Sequence, residues 1–200
     1  MGLSGMSNAM SGLRDDPAVV EILSNLNSPF MGLLTGTVIT AIIQSSSVTV
    51  SIVLLMCQQG LLPLDICLFI ILGCNIGSCG SALIASLAGK KDAKRAAFIH
   101  FLFNVIGSAI MFAIFKLSLD YIVQFLYSIS GDNLGICVAN AHTLIKICQV
   151  IMLFPFSSWI VKLTYKIIPG EDVKVGYREN FQLKYIGDKV VLNPATAVVE

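Results

Sequence analysis

The chain has 200 residues, of which 56% are hydrophobic and only 12% charged, with a mean hydropathy of +0.82. A soluble domain carries about 25% charged residues, so the composition sets aside an ordinary soluble enzyme or binding domain in favour of an integral membrane protein. A net charge of +1 offers no basis for nucleic-acid binding.

Residues 1–27 are mixed. Arg14, Asp15, Asp16 and Glu21 make them too polar to span a bilayer. Asp16-Pro17 ahead of Ala18–Leu23 predicts a capped interfacial helix with Pro17 at its first position. Met1–Ser11 lacks the basic start of a secretory signal, and the opening reads as the tail of a preceding segment. From Ile22 to Leu64 there is no Asp, Glu, Lys or Arg. Phe30–Ile43 is apolar over a length of about 21 Å as a helix, short of the ~20 residues a crossing needs. Gln44-Ser45-Ser46-Ser47 follow, then a second short apolar arm, Val48–Cys57, ended by Gly60 and Pro63. Two readings fit: one long helix with polar residues at mid-depth, or a re-entrant hairpin whose tip is Gln44–Ser47. In both, the tip must face protein, water or ligand, because unpartnered polar groups in hydrocarbon cost several kcal/mol each.

Leu64–Gly89 is the next span, with Asp65 its one charge. Its middle, Gly73-Cys74-Asn75-Ile76-Gly77-Ser78-Cys79-Gly80-Ser81, holds three glycines, each weakening a helix by about 1 kcal/mol. An unwound turn is predicted there, with freed carbonyls and half-helix ends able to coordinate ions. Lys90–Arg95 reads as a compact basic loop. Ala96–Phe115 is a clean span in which His100 and Asn104 share a face. Lys116–Asn133 reads as a connection with a short amphipathic piece, Tyr121–Ile129. Leu134 to about Ile160 is the last span, holding Asn140, His142, Thr143, Lys146 and Gln149, with a kink at Pro155. Ile167-Ile168-Pro169-Gly170 ends it, and a polar tail follows. The expected organisation is an interfacial segment (1–27), a transmembrane unit (28–168) and a cytoplasmic tail (169–200). The clustering of Lys and Arg in Lys90–Arg95 and after Lys162 puts both on the cytoplasmic side.

The chemistry available is neutral oxygen. Gln44, Ser45, Ser46, Ser47 and Thr49 supply hydroxyls and an amide, and Asn75, Ser78 and Ser81 supply more. Hard cations take oxygen ligands, and oxyanions take hydroxyls, amides and the N–H groups of helix N-termini. A site without a carboxylate suits both at once. The bland alternative is that each Ser or Thr bonds to the backbone one turn back. His100 with Asn104, and His142 with Lys146, read as packing pairs or as further lining, as does Asn140. Lys146 is a charge within a span, which faces the protein interior or a cavity or snorkels to an interface. No base is placed to activate a serine, so an enzyme is not expected. The six cysteines (57, 67, 74, 79, 137 and 148) form no CxxC pair and read as small hydrophobes.

Thr40-Ala41-Ile42-Ile43-Gln44-Ser45-Ser46-Ser47, Ile71-Leu72-Gly73-Cys74-Asn75-Ile76-Gly77-Ser78, Lys94-Arg95-Ala96-Ala97-Phe98-Ile99-His100-Phe101-Leu102-Phe103-Asn104 and Ala139-Asn140-Ala141-His142-Thr143 together resemble the sodium-dependent phosphate cotransporter family (type II, bacterial branch), in order and spacing, over about residues 12–170. The resemblance implies an all-α integral membrane fold: a re-entrant helical hairpin plus about three transmembrane helices, one inverted repeat of a two-repeat transporter. It implies Na+-coupled symport of inorganic phosphate across the plasma membrane, a bacterial inner membrane, with the C-terminus cytoplasmic. Gln44, Ser45, Ser46 and Ser47 fall on the hairpin-tip motif. Asn75, Gly77 and Ser78 fall on the Asn-Ile-Gly-Thr motif, with Ser for Thr, while Cys79 and Gly80 depart from the usual Thr-Val. Implied Na+ ligands are Gln44, Ser45, Ser46, Asn75 and Ser78, with Na+ as coupling ion and no other cofactor. Lys146 stands where the family usually has Asn. Lys184–Asp188 and Asn193–Ala197 resemble the linker to a PhoU-like helical domain. The expected partners are phosphate, Na+, the bilayer, and the first repeat or another protomer. The competing expectation is a membrane half-protein that does not transport and acts as an interaction or phosphate-signalling module.

Overall fold

The computed structural model describes residues 28–170, together with Gly2, Gly5 and Leu26. The interfacial helix predicted around Asp16–Leu23 and the tail beyond Gly170 lie outside the described residues. The described residues are helical, without strands.

Helix α1, Pro29–Ile43, starts at Ser28, whose hydroxyl accepts the Met31 N–H at 3.2 Å, with Pro29 in the first turn. It stops at Gln44, which adopts φ 58°, ψ 22° and returns its N–H to the Thr40 carbonyl at 2.7 Å. Among the described residues Gln44 is the one non-glycine with positive φ. Ser45 is extended and caps α2, Ser46–Gln58, its hydroxyl accepting the Val48 N–H at 3.4 Å. Two residues thus turn the chain between two short helices, so the hairpin reading holds and the single long helix does not.

Helix α3, Leu64–Gly77, runs parallel to α1: Gly32 packs on Ile66 and Phe69, Gly36 on Ile70, and Gly77 on Thr37 and Thr40. The approach is backbone to backbone. A Cβ at Gly36 would overlap the Ile70 carbonyl oxygen, and one at Gly73 that of Leu33. Gly32 and Gly36, like Gly73 and Gly77, are four apart, the small-xxx-small spacing of tightly packed membrane helices. The break or unwound turn expected at Gly73–Ser81 is met only by one turn residue, Ser78, between α3 and the next helix. Ser78 keeps helical angles (φ −62°, ψ −18°) and bonds the Cys74 carbonyl at 3.0 Å, and α4, Cys79–Leu87, continues the run. The glycines that weaken the helix by propensity are spent on contact with α1, which holds α3 straight. Leu64–Leu87 is therefore one apolar helix of 24 residues, long enough to cross a membrane.

Helix α5, Lys91–Ser130, is kinked at Ser118 (φ −133°, ψ 28°). It takes in most of the predicted basic loop. Arg95 is buried, because its guanidinium bonds the carbonyl oxygens of Ile168 and Gly170 and the Asp92 carboxylate, and lies 4.2 Å from the centroid of the Tyr165 ring. Helix α6, Leu134–Leu153, is capped by Asn133, whose side-chain oxygen accepts from Gly135 and Ile136 N–H. A 3-10 turn at Phe154–Phe156, around Pro155, passes the chain to α7, Ser157–Ile167. Lys91–Ser130 and Leu134–Ile167 are also long and apolar enough to cross. Helix α3 is the centre: nearly every side chain from Leu64 to Asn75 is buried, as expected of a helix apolar all round. Phe69 on it stacks edge-on with Phe112 and Phe115 of α5.

Candidate functional site

The hairpin tip sits at the level of the α3 C-terminus, since Gly77 packs on Thr37 and Thr40 just before Gln44, and a Cβ at Gly80 would lie 3.8 Å from that of Ala41. Gly77 is the fourteenth residue of the 24-residue Leu64–Leu87 helix. Thr40, four residues before the tip, is therefore about 20 Å from the Leu64 end of that helix. The side chain of Gln44 is exposed, Ser45 and Ser46 are half-buried, and Ser47 is exposed. Ser46 and Ser47 open α2, where backbone N–H groups have no intrahelical acceptor and carry the positive end of the helix dipole. Ser45 caps that turn with its hydroxyl, and its carbonyl accepts from Thr49 N–H and Thr49 Oγ1.

Asn75 is fully buried and leads a chain of side-chain hydrogen bonds. Asn75 Nδ2 donates to Gln149 Oε1 of α6 at 3.3 Å, Gln149 Nε2 to Ser108 Oγ of α5 at 3.4 Å, and Ser108 Oγ to the Leu72 carbonyl at 3.1 Å. The Leu72 oxygen can only accept, which fixes Ser108 as its donor and hence the sense of both amides. The chain ends on Asn75 Oδ1, a buried oxygen with no hydrogen-bond partner. His142 Nε2 is likewise buried without a hydrogen-bond partner. Buried polar atoms left unpaired are rare and costly.

The remaining sequence-predicted residues divide. Ser78 Oγ donates to its own helix, to the Asn75 carbonyl at 2.8 Å, and Ser81 Oγ to that of Ser78. Gly77 serves as a packing surface for α1. Asn104 is buried and donates to the His100 carbonyl at 3.0 Å, while the His100 side chain is exposed. Asn140 donates to Ser130 at the far end of α6, at 2.9 Å. The tip side chains and Asn75 share one region of the bundle through Thr40 and Gly77 but make no hydrogen bond to each other among the described residues. Sequence reasoning assigned no role to Gln149, Ser108 or Thr40. The signal for Gln149 was its spacing from Lys146 and His142, which places all three on one face of α6.

The Na+/Pi-cotransporter family profile matches residues 1–141. Among curated relatives, the chain is 29% identical over 170 residues to the uncharacterized protein YqeW of Bacillus subtilis, covering 84% of this chain and 54% of that protein. It is 29% identical over 157 residues to sodium-dependent phosphate transport protein 2B of Pongo abelii (72% of this chain, 21% of that protein). It is 36% identical over 101 residues to the human 2C protein (44% and 17%). The chain thus spans about half the length of the Bacillus protein and about a fifth of the animal ones. No solved structure matches. On the family profile, which covers well over half of its residues, the chain belongs to the Na+/Pi-cotransporter family.

Proposed function

We propose that the chain supplies one repeat of a Na+-coupled phosphate symporter in a bacterial plasma membrane, with Lys90–Arg95 and the C-terminus cytoplasmic and a second, inverted repeat completing the site. The observation that carries this reading is Asn75 Oδ1, fully buried and unpaired at the end of a polarised chain of amides. An oxygen so placed suits a hard monovalent cation. Gly77, two residues on from Asn75, packs on Thr40, four residues before Gln44, and the tip presents the N-terminus of α2 and the hydroxyls of Ser45, Ser46 and Ser47, which suit an oxyanion. Cation and anion sites side by side give a physical basis for coupling, because each bound charge lowers the cost of binding the other.

The test is uptake of radiolabelled phosphate into vesicles bearing the full-length gene product. Replacing Na+ by choline abolishes uptake. Ser45→Ala and Asn75→Ala each lower it at least about tenfold at equal protein level, the effect of one lost charge-assisted contact. Wild-type uptake in both variants would remove the site assignment, and Na+-independent binding of phosphate without uptake would favour the signalling module instead.

A further inference from the structure

Lys146 is the one Lys, Arg, Asp or Glu in α6. It is half-buried and, among the described residues, forms no hydrogen bond or ion pair. It stands one turn after His142 and one turn before Gln149 on the same face of α6, and Gln149 bonds Asn75 across to α3. Asn75 Oδ1 is a buried oxygen without a hydrogen-bond partner, and His142 Nε2 is also unpaired. An ammonium carries three donors and no acceptor, so it can meet unpaired oxygens as a bound Na+ would. Charges in membrane spans face the protein interior or a cavity and mark ion pathways.

We propose that Lys146 is a tethered cation that stands in for one coupling Na+ at the Asn75 site. The inference rests on the transport reading above and deepens it. A fixed positive charge on the face of α6 that meets Asn75 balances part of the phosphate charge in every cycle, so fewer Na+ ions are needed to bind and carry it. Lys146 is then a specificity-determining residue for stoichiometry, one that the apolar cavity lined by Leu68, Met111, Phe115 and Ile145 does not touch.

The experiment measures phosphate uptake against Na+ concentration, and radioactive Na+ retained by purified protein, for wild type, Lys146→Gln, Lys146→Met and Lys146→Arg. Wild type is expected to show a shallow Na+ dependence. Both neutral variants steepen it, raising the Hill coefficient by about one, shift half-maximal Na+ upward about tenfold, and retain more Na+ per chain. Lys146→Arg restores the shallow curve. Identical Na+ curves and Na+ retention in wild type and in both neutral variants overturn the inference and leave the transport reading standing. Absence of uptake and of Na+ retention in wild type and variants alike overturns both.

Discussion

Gln149 shows what a single amide decides. It joins α3, α5 and α6 by accepting from Asn75 and donating to Ser108, and it is fully buried. Gln149→Leu keeps the volume but strands Asn75 Nδ2, and is expected to lower stability by about 1–3 kcal/mol. Asn75→Ala with Gln149→Leu should cost less than the sum of the two, because the stranded donor is gone. Thermal unfolding in detergent measures both, and strict additivity would argue against the hydrogen bond. Gln44 makes the opposite point. Its left-handed backbone is disfavoured by about 1–2 kcal/mol for a residue with a Cβ, yet the chain keeps an amide there. Gln44→Gly is therefore expected to leave stability within about 1 kcal/mol of wild type while lowering phosphate uptake, a separation of stability from function read by unfolding and transport on the same samples. The tip was legible in the sequence as four polar residues between two arms too short to cross. The Gln149 and Ser108 partners were not, because they lie 74 and 33 positions from Asn75 and single polar residues in apolar helices look alike until the helices pack.

At the scale of helices, the contact between α1 and α3 is the tightest joint in the molecule. A Cβ at Gly36 or Gly73 meets a backbone carbonyl, which cannot move aside, whereas one at Gly80 meets the Ala41 side chain at 3.8 Å, an ordinary contact. Gly36→Ala and Gly73→Ala are expected to destabilise by at least about 3 kcal/mol, the upper range for overpacking, and Gly80→Ala to be near neutral. Yield of folded protein and unfolding temperature check the contrast, and equal behaviour of all three variants would contradict the packing. The glycines in Gly73–Ser81 were visible as helix breakers by propensity, and the break they make is confined to one turn residue, Ser78. Propensity describes an isolated helix, while here the missing side chains let two backbones touch, and that contact outweighs the propensity loss. The paired four-residue spacing, Gly32 with Gly36 and Gly73 with Gly77, was the signal for it. Arg95 was misjudged for a related reason: a cation in a basic cluster reads as solvated until the end of α7 brings the carbonyls of Ile168 and Gly170 to its guanidinium.

Across the molecule, the helix directions fix which ends share a side. Helix α1 is parallel to α3, Gln58 at the end of α2 bonds Asn133 ahead of α6, and the kinked α5 returns antiparallel to α3. Residues Ser28, Gly60 and Asp132 are therefore at one end of the bundle and Lys90 at the other. In a cysteine-free background, Ser28→Cys, Gly60→Cys and Asp132→Cys are expected to react with an impermeant maleimide from the same face of the membrane, and Lys90→Cys from the opposite face. Labelling of Ser28→Cys and Gly60→Cys from opposite faces would restore the single crossing helix. Large apolar side chains such as Ile42, Leu117, Ile151 and Phe154 are exposed among the described residues. The sequence by itself determined the apolar composition, the helical class and the family, because hydropathy and short contiguous motifs are local properties of the chain, but the connection expected over Lys116–Asn133 is mostly a continuation of α5, Lys91–Ser130. Only the tertiary structure decided that the hairpin closes on Gln44 and Ser45, that Leu64–Leu87 stays one helix, and that Asn75 ends a polar chain with an unpaired oxygen. Each of these depends on atoms far apart in sequence meeting in a dry interior, where an unmet hydrogen bond or an extra methyl group is worth more than any local preference.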